Sequence, residues 1–101
     1  AQKSPKDRLA SLLGLAKCFL AQGQFDMAEM QLETLRDQMP VMEGLKKDAT
    51  YWLGRIAEES LEDLDKAYSL YKEVYAVDVG FEDLGERILS VSEKIKARKG
   101  N

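Results

Sequence analysis

Apolar residues recur at helical spacing along five segments of the chain. In the second segment the stripe is Ala28, Leu32, Leu35 and Met39, which are four, three and four residues apart. Residues at this spacing lie on one face of an α-helix. The pattern predicts a first helix that stops before Gly23, because glycine readily takes the left-handed backbone that follows a helix. The remaining predicted helices cover about 25–39, 45–59, 64–77 and 82–98.

The composition favours the same reading. Of the 101 residues, 45% are apolar and 33% are charged, which is enough apolar side chain to bury the core of one compact domain. Most of the remaining residues are good helix formers, and β-branched residues are scarce. The sequence therefore predicts an all-α chain of about five helices. Because the predicted connections are short, neighbouring helices are expected to pack antiparallel.

The helical pattern occurs twice. Ala28 and Ala67 are 39 residues apart, and aligning them also aligns large apolar residues. These pairs are Leu32 with Tyr71 and Leu35 with Val74. Upstream, the small residues Ala16 and Gly54 match with one residue of slip. Small residues at these places would let two antiparallel helices of each copy approach closely.

The residues of both copies resemble the tetratricopeptide repeat. The first copy offers Leu12, Leu15-Ala16, Phe19, Gly23-Gln24-Phe25-Asp26-Met27-Ala28, Leu32, Leu35 and Pro40. The second offers Leu53-Gly54, Ala67, Tyr71 and Val74. The second copy departs from the family pattern, because Ala57 replaces an aromatic residue and its turn lacks glycine. The 39-residue spacing also exceeds the usual period of about 34.

The resemblance implies a fold and a domain organisation. Helix pairs of this family stack into a right-handed superhelix. The expectation is a single tetratricopeptide-like domain over 1–101, with repeat one at about 9–42, repeat two at about 45–79 and a capping helix at about 82–98. The chain is similar to the C-terminal repeats of longer bacterial proteins of this kind. Since it begins with Ala, we expect it to be a fragment.

The resemblance also implies a function, which is to bind a peptide or helix of another protein in the concave groove. Carried over residue by residue, the groove is lined by Leu13, Lys17, Leu20, Tyr51, Arg55 and Glu58. Lys17 and Arg55 fall at equivalent places in the two copies. They could hold a partner carboxylate. They could instead form surface pairs with acids such as Glu58 or Glu86.

Two other functions stay open. The first is structural self-association, in which the outer face of the first pair contacts a second copy and forms a homodimer. That face includes Leu9, Leu12, Met27 and Met30. The second is a regulatory domain of a larger enzyme. Only the full-length sequence would identify that role.

Residue types that carry chemistry are few. The chain has no histidine, no phosphate-binding glycine-rich loop and no metal-spaced cysteine cluster. We therefore expect no enzymatic activity, no cofactor and no metal site. The lone Cys18 lies among apolar residues and is predicted to be buried. Five carboxylates at 58–65 are predicted to form a turn and the start of the next helix. They could instead hold a cation or a basic partner.

Charge and hydropathy limit the partners. The net charge is −3, and no broad basic surface indicates nucleic acid as a partner. No apolar run approaches the roughly 20 residues that span a bilayer, so membrane insertion is not expected. The unpaired Cys18 and the missing signal peptide pattern favour the cytoplasm.

Overall fold

The structure, a computed structural model, describes residues 5–99, with side chains for residues 7–98. The described residues form five α-helices and no strand. The helices are α1 (Pro5–Ala21), α2 (Phe25–Asp37), α3 (Leu45–Glu59), α4 (Leu64–Tyr75) and α5 (Leu84–Lys99). The predicted all-α class is confirmed. Among these residues, no helix combines the length and the apolar character needed to cross a membrane.

Three helix ends lie two residues inside the predicted bounds. Helix α2 ends at Asp37, α4 ends at Tyr75 and α5 begins at Leu84. Because the residue before a proline is disfavoured in helical geometry, Pro40 ends α2 early. Glu82 has a φ of 46°, which a right-handed helix cannot include, so α5 begins after it.

The chain divides into two compact units, residues 1–49 and residues 50–101. In the first unit α1 packs against α2, and in the second α4 packs against α5. Helix α3 runs through the division, so residues 45–49 belong to the first unit and residues 50–59 to the second.

The turn between α1 and α2 is set by Gly23, which has a φ of 77°. The amide of Gly23 donates to the carbonyl of Leu20, and the amide of Gln24 donates to the carbonyl of Phe19 at 2.9 Å. This pair of bonds is the Schellman arrangement, in which a left-handed residue lets the last carbonyls of a helix find donors. The core of the unit follows from the two facing stripes. It includes Leu13, Ala16, Ala28, Leu32 and Leu35.

The stripe predicted for α4 is buried along its whole length. The buried side chains of this helix are Leu64, Ala67, Leu70, Tyr71 and Val74. Other buried side chains of the second unit come from α3 and α5, and they include Leu53, Ile56, Ala57, Leu84 and Val91.

Helices α3 and α4 approach each other closely at Gly54. A β-carbon at this position would lie 2.5 Å from ring atom Cε1 of Tyr71 and 2.7 Å from Cδ1. Only a residue without a side chain leaves room for the tyrosine ring. The small residue at position 54 is thus required by the aromatic residue that faces it.

Part of the acidic stretch forms a connection and a helix start, as predicted, whereas Glu58 and Glu59 belong to the end of α3. The side chain of Asp63 accepts a hydrogen bond from the amide of Lys66 at 3.2 Å, and it caps the first turn of α4. Glu62, just before this cap, has a left-handed φ of 54°. Within the described residues, no group of three potential metal-binding side chains is brought together.

The prediction that Cys18 is buried is wrong, because its side chain is exposed. Leu13 and Ala16 are three residues apart and share the buried face of α1. Cys18 lies two residues after Ala16, which is about 200° around the helix axis. Its apolar neighbours in sequence are therefore not its neighbours in space.

The contact at Gly54 gives a direct test of the packing. We expect Gly54→Ala to lower the free energy of unfolding by about 1–3 kcal/mol, because the added methyl group overlaps the Tyr71 ring. The measurement is urea denaturation followed by circular dichroism. The matched control is Gly14→Ala in α1, where a β-carbon would meet nothing within 4 Å.

This control should raise stability by about 0.5–1 kcal/mol, since alanine favours a helix more than glycine does. A Gly54→Ala protein as stable as the Gly14→Ala protein would contradict the described packing.

Candidate partner-binding site

Three of the predicted groove residues belong to the first unit and lie on α1. Leu13 is buried in the core of that unit. Lys17 is exposed and Leu20 is half-buried. The two accessible positions are three residues apart, so they lie on neighbouring turns of one helix face.

The other three predicted residues, Tyr51, Arg55 and Glu58, lie on α3 in the second unit. Their spacing of four and three residues puts them on one helix face. Tyr51 is buried, the side chain of Arg55 is 27% exposed and the side chain of Glu58 is 8% exposed. The structure brings these residues together, and it surrounds two of them with partners from α5 and the segment before it.

Tyr51 joins α3 to the start of α5. Its hydroxyl donates to Oδ1 of Asp83 at 2.6 Å and accepts from Nε of Arg87 at 3.2 Å. The same Nε lies 2.9 Å from Oδ2 of Asp83, four residues earlier in the chain. The ring of Phe81 meets the ring of Tyr51 edge-on, with centroids 5.7 Å apart. Tyr51 is therefore fixed at both its ring and its hydroxyl.

Glu58 gathers three donors around one buried carboxylate. The hydroxyl of Tyr71 donates to Oε1 at 2.8 Å, and Nη1 of Arg87 lies 3.5 Å from the same oxygen. The ammonium group of Lys94 lies 3.3 Å from Oε2. Because two cations surround the carboxylate, its charge is compensated where water has little access.

Arg55 has different surroundings. Its guanidinium lies 4.9 Å from the ring centre of Trp52 and donates to Glu59 at 3.3 Å. Arg55 thus forms a pair with a nearby acid, as one of the two interpretations predicted, but the acid is Glu59 and not Glu58 or Glu86. Glu59 is four residues further along α3 and so lies on the next turn. Nε of Arg55 is buried without a hydrogen-bond acceptor among the described residues.

The environment of the two tyrosines changes their ionisation. Burial and then the hydrogen bond to Glu58 raise the pKa of Tyr71 well above its usual value. Burial and Asp83 also raise the pKa of Tyr51, although Arg87 opposes them. Desolvation alone would raise the pKa of Asp83, but the hydrogen bonds from Tyr51 and Arg87 outweigh it, and the pKa is lowered. Desolvation would lower the pKa of Arg87, yet its bonds to Asp83 and Tyr51 raise it.

An open cleft of about 580 Å³ adjoins this cluster in the second unit. Its lining combines carboxylates and cations with a small apolar floor. The lining residues are Glu58, Glu62, Leu64, Lys94, Ala97 and Arg98. The two carboxylates and two cations of this lining balance each other in charge.

Sequence reasoning placed Tyr51 and Glu58 at a partner-binding face but missed Asp83, Arg87 and Lys94. The sequence carries one signal for these residues. Asp83 and Arg87 are four residues apart, and Arg87 and Lys94 are seven apart. At this spacing all three lie beside the apolar stripe of the last helix.

Comparison of the chain with protein-family models, curated proteins and solved structures found no match.

The tyrosine environment predicts how stability depends on pH. An unfolded tyrosine ionises near pH 10, whereas folded Tyr71 keeps its proton to higher pH. Its raised pKa contributes stability that is fully present below about pH 10 and is lost as the pH rises further. We expect Tyr71 to steepen the loss of unfolding free energy above pH 10 by up to about 1.4 kcal/mol per pH unit.

The check is urea denaturation of the protein and of Tyr71→Phe between pH 8 and 11. The substitution should lower stability at pH 8 by about 1–3 kcal/mol, because it removes a hydrogen bond to a buried carboxylate. Above pH 10, the unfolding free energy should fall less steeply with pH in Tyr71→Phe than in the natural chain. Equal slopes would show that Tyr71 ionises alike in the folded and unfolded states.

Proposed function

We propose that the chain is a tetratricopeptide-type helical repeat module that binds a peptide or helix of another protein and performs no chemistry. The observation that supports the repeat is the burial of matching positions. Ala28 and Ala67, which are 39 residues apart, are both fully buried. The same holds for two further matched pairs, Leu32 with Tyr71 and Leu35 with Val74.

The resemblance extends the proposal to the stacked right-handed superhelix and concave groove of that family. The matching of the two copies includes the predicted groove positions, because Lys17 and Arg55 follow the small residues Ala16 and Gly54 directly. Both small residues are buried. Lys17 and Arg55 therefore occupy equivalent positions, each relative to the core of its own unit.

The accessible members of the predicted groove favour a partner with oxygen acceptors. Lys17 is exposed, and Arg55 lies beside the ring of Trp52 with its side chain 27% exposed. Guanidinium and ammonium groups form charge-assisted hydrogen bonds with carboxylates and with peptide carbonyls. Leu20 adds an apolar contact beside Lys17. An extended peptide with acidic and apolar side chains has the matching chemistry.

Self-association is a second candidate, and the exposed apolar side chains of the first unit favour it. Leu15 is 44% exposed and Met30 is 55% exposed. Leu9, Leu12 and Met27, which were predicted to belong to such a face, are half-buried. A second copy would cover these side chains without using the cationic positions.

The test begins with selection of ligands from a random peptide library on the immobilised chain. Affinities of the selected peptides are then measured by fluorescence anisotropy, with light scattering to establish the mass of the protein at each concentration. We expect Lys17→Ala and Arg55→Ala each to weaken binding about tenfold or more, the effect of losing one charge-assisted hydrogen bond.

The matched control is Lys96→Ala, which removes an exposed cation from α5. It should leave the affinity unchanged. Failure to select any peptide, or equal losses in all three variants, would contradict the proposal. A mass that doubles with concentration, without peptide binding, would support self-association instead.

A further inference from the structure

The second unit already holds a helix at part of the predicted partner-binding face. Tyr51 and Glu58 were predicted to contact a foreign partner, yet both contact the chain's own C-terminal region. Asp83 and Arg87 meet the hydroxyl of Tyr51, and Arg87 and Lys94 meet the carboxylate of Glu58. Helix α5 and the residue before it therefore contact two residues that were expected to contact a partner.

The attachment of α5 depends strongly on polar contacts. Two of its side chains, Leu84 and Val91, are fully buried, whereas Ile88 and Ile95 are half-buried. Helix α4 buries five side chains in the same unit. The remaining contacts of α5 include the pairs of Arg87 and Lys94 with the nearly buried carboxylate of Glu58. Helix α5 therefore has fewer buried anchors than the helices it rests on.

The surface of α3 and α4 that α5 contacts is called here the α3–α4 face. Two contacts that do not involve α5 fix its side chains. The ring of Tyr71 lies against Gly54, and its hydroxyl fixes the carboxylate of Glu58 at 2.8 Å. Both contacts join α3 to α4. If α5 moved away, the carboxylate would stay in place and would need a new cation, because an uncompensated charge there is costly.

We infer that the α3–α4 face of the second unit is a docking site for a cationic amphipathic helix, and that α5 occupies this site within the same chain. The spacing of α5 defines the ligand class. The residue just before the helix is an acid, Asp83. Arginine follows four residues after this acid and lysine eleven residues after it, and apolar residues follow one, five, eight and twelve residues after it. The inference deepens the proposed function, on which it rests, by assigning regulation to Tyr51 and Glu58.

A foreign helix of this class would have to displace α5. A segment tethered by a short connection has an effective concentration in the millimolar range. The connection from α4 to α5 covers only residues 76–83. Partners that bind this face should therefore show a low apparent affinity until the polar contacts of α5 are removed.

The experiment uses α5 itself as the probe. A fluorescein-labelled peptide with the sequence of residues 80–98 is added to the full chain and to a variant with Arg87→Gln and Lys94→Gln. We expect the variant to bind the peptide at least tenfold more tightly than the natural chain, because its own helix competes less well. The measurement is fluorescence anisotropy, with circular dichroism to verify that each protein is folded.

The matched control carries Lys96→Gln, which removes one charge from an exposed position of α5. It should bind the peptide no better than the natural chain does. Adding Glu58→Gln to the double variant should abolish the gain. The single variant Lys94→Gln changes a side chain that is 54% exposed, and it should give an intermediate affinity even if the double variant fails to fold.

Equal peptide affinities of the natural chain and Lys94→Gln would overturn the inference. A double variant whose peptide affinity is unchanged by Glu58→Gln would also overturn it. A dimeric natural chain that exchanges α5 between two copies would overturn the placement of α5 within its own chain. The proposed function fails separately. Its own test uses selected peptides and the cations Lys17 and Arg55, neither of which contributes to the contacts of α5 described above.

Discussion

The second unit depends on the contact between Gly54 of α3 and the ring of Tyr71 of α4. A side chain at position 54 would overlap this ring, so the missing side chain and the large aromatic residue are one structural solution. The contact brings the two helices close enough for the tyrosine hydroxyl to reach Glu58 at 2.8 Å. Packing thus positions the carboxylate that Arg87 and Lys94 of α5 contact.

Glu58 then determines how the C-terminal helix is held. A carboxylate with little exposure is destabilising unless hydrogen bonds and cations compensate it. Tyr71 supplies the hydrogen bond, and Arg87 and Lys94 supply the cations. Two negative and two positive groups, counting Asp83, make the cluster neutral. Such a cluster selects one register of α5, since sliding the helix by one residue would separate both cations from the carboxylate.

The helices and most of the core could be predicted because helical periodicity is local. The stripe of α4 reads directly from the order of its apolar residues, and each of its predicted members, Leu64, Ala67, Tyr71 and Val74, is buried. Cys18 is exposed although its neighbours in sequence are apolar, because its angle around the helix places it away from the buried face. Periodicity thus predicts a buried face only when each residue is placed on it.

The polar cluster could not be predicted in the same way. The partners of Glu58 on α5 lie 29 and 36 residues away in sequence, and helical spacing does not relate residues on different helices. Resemblance to a repeat family indicated that Tyr51 and Glu58 share a face, but not that the chain's own last helix covers them. That feature depends on the tertiary arrangement of three helices.

The central claim is that the α3–α4 pair is formed by its own contacts and that α5 rests on it. Native-state amide hydrogen exchange, measured by NMR across low concentrations of urea, tests this most directly. The account predicts that the amide of Tyr71 exchanges only through global unfolding. The amide of Val91 should exchange through a smaller opening that leaves α3 and α4 protected. Equal opening free energies at Tyr71 and Val91 would contradict the account, because α5 would then be inseparable from the pair.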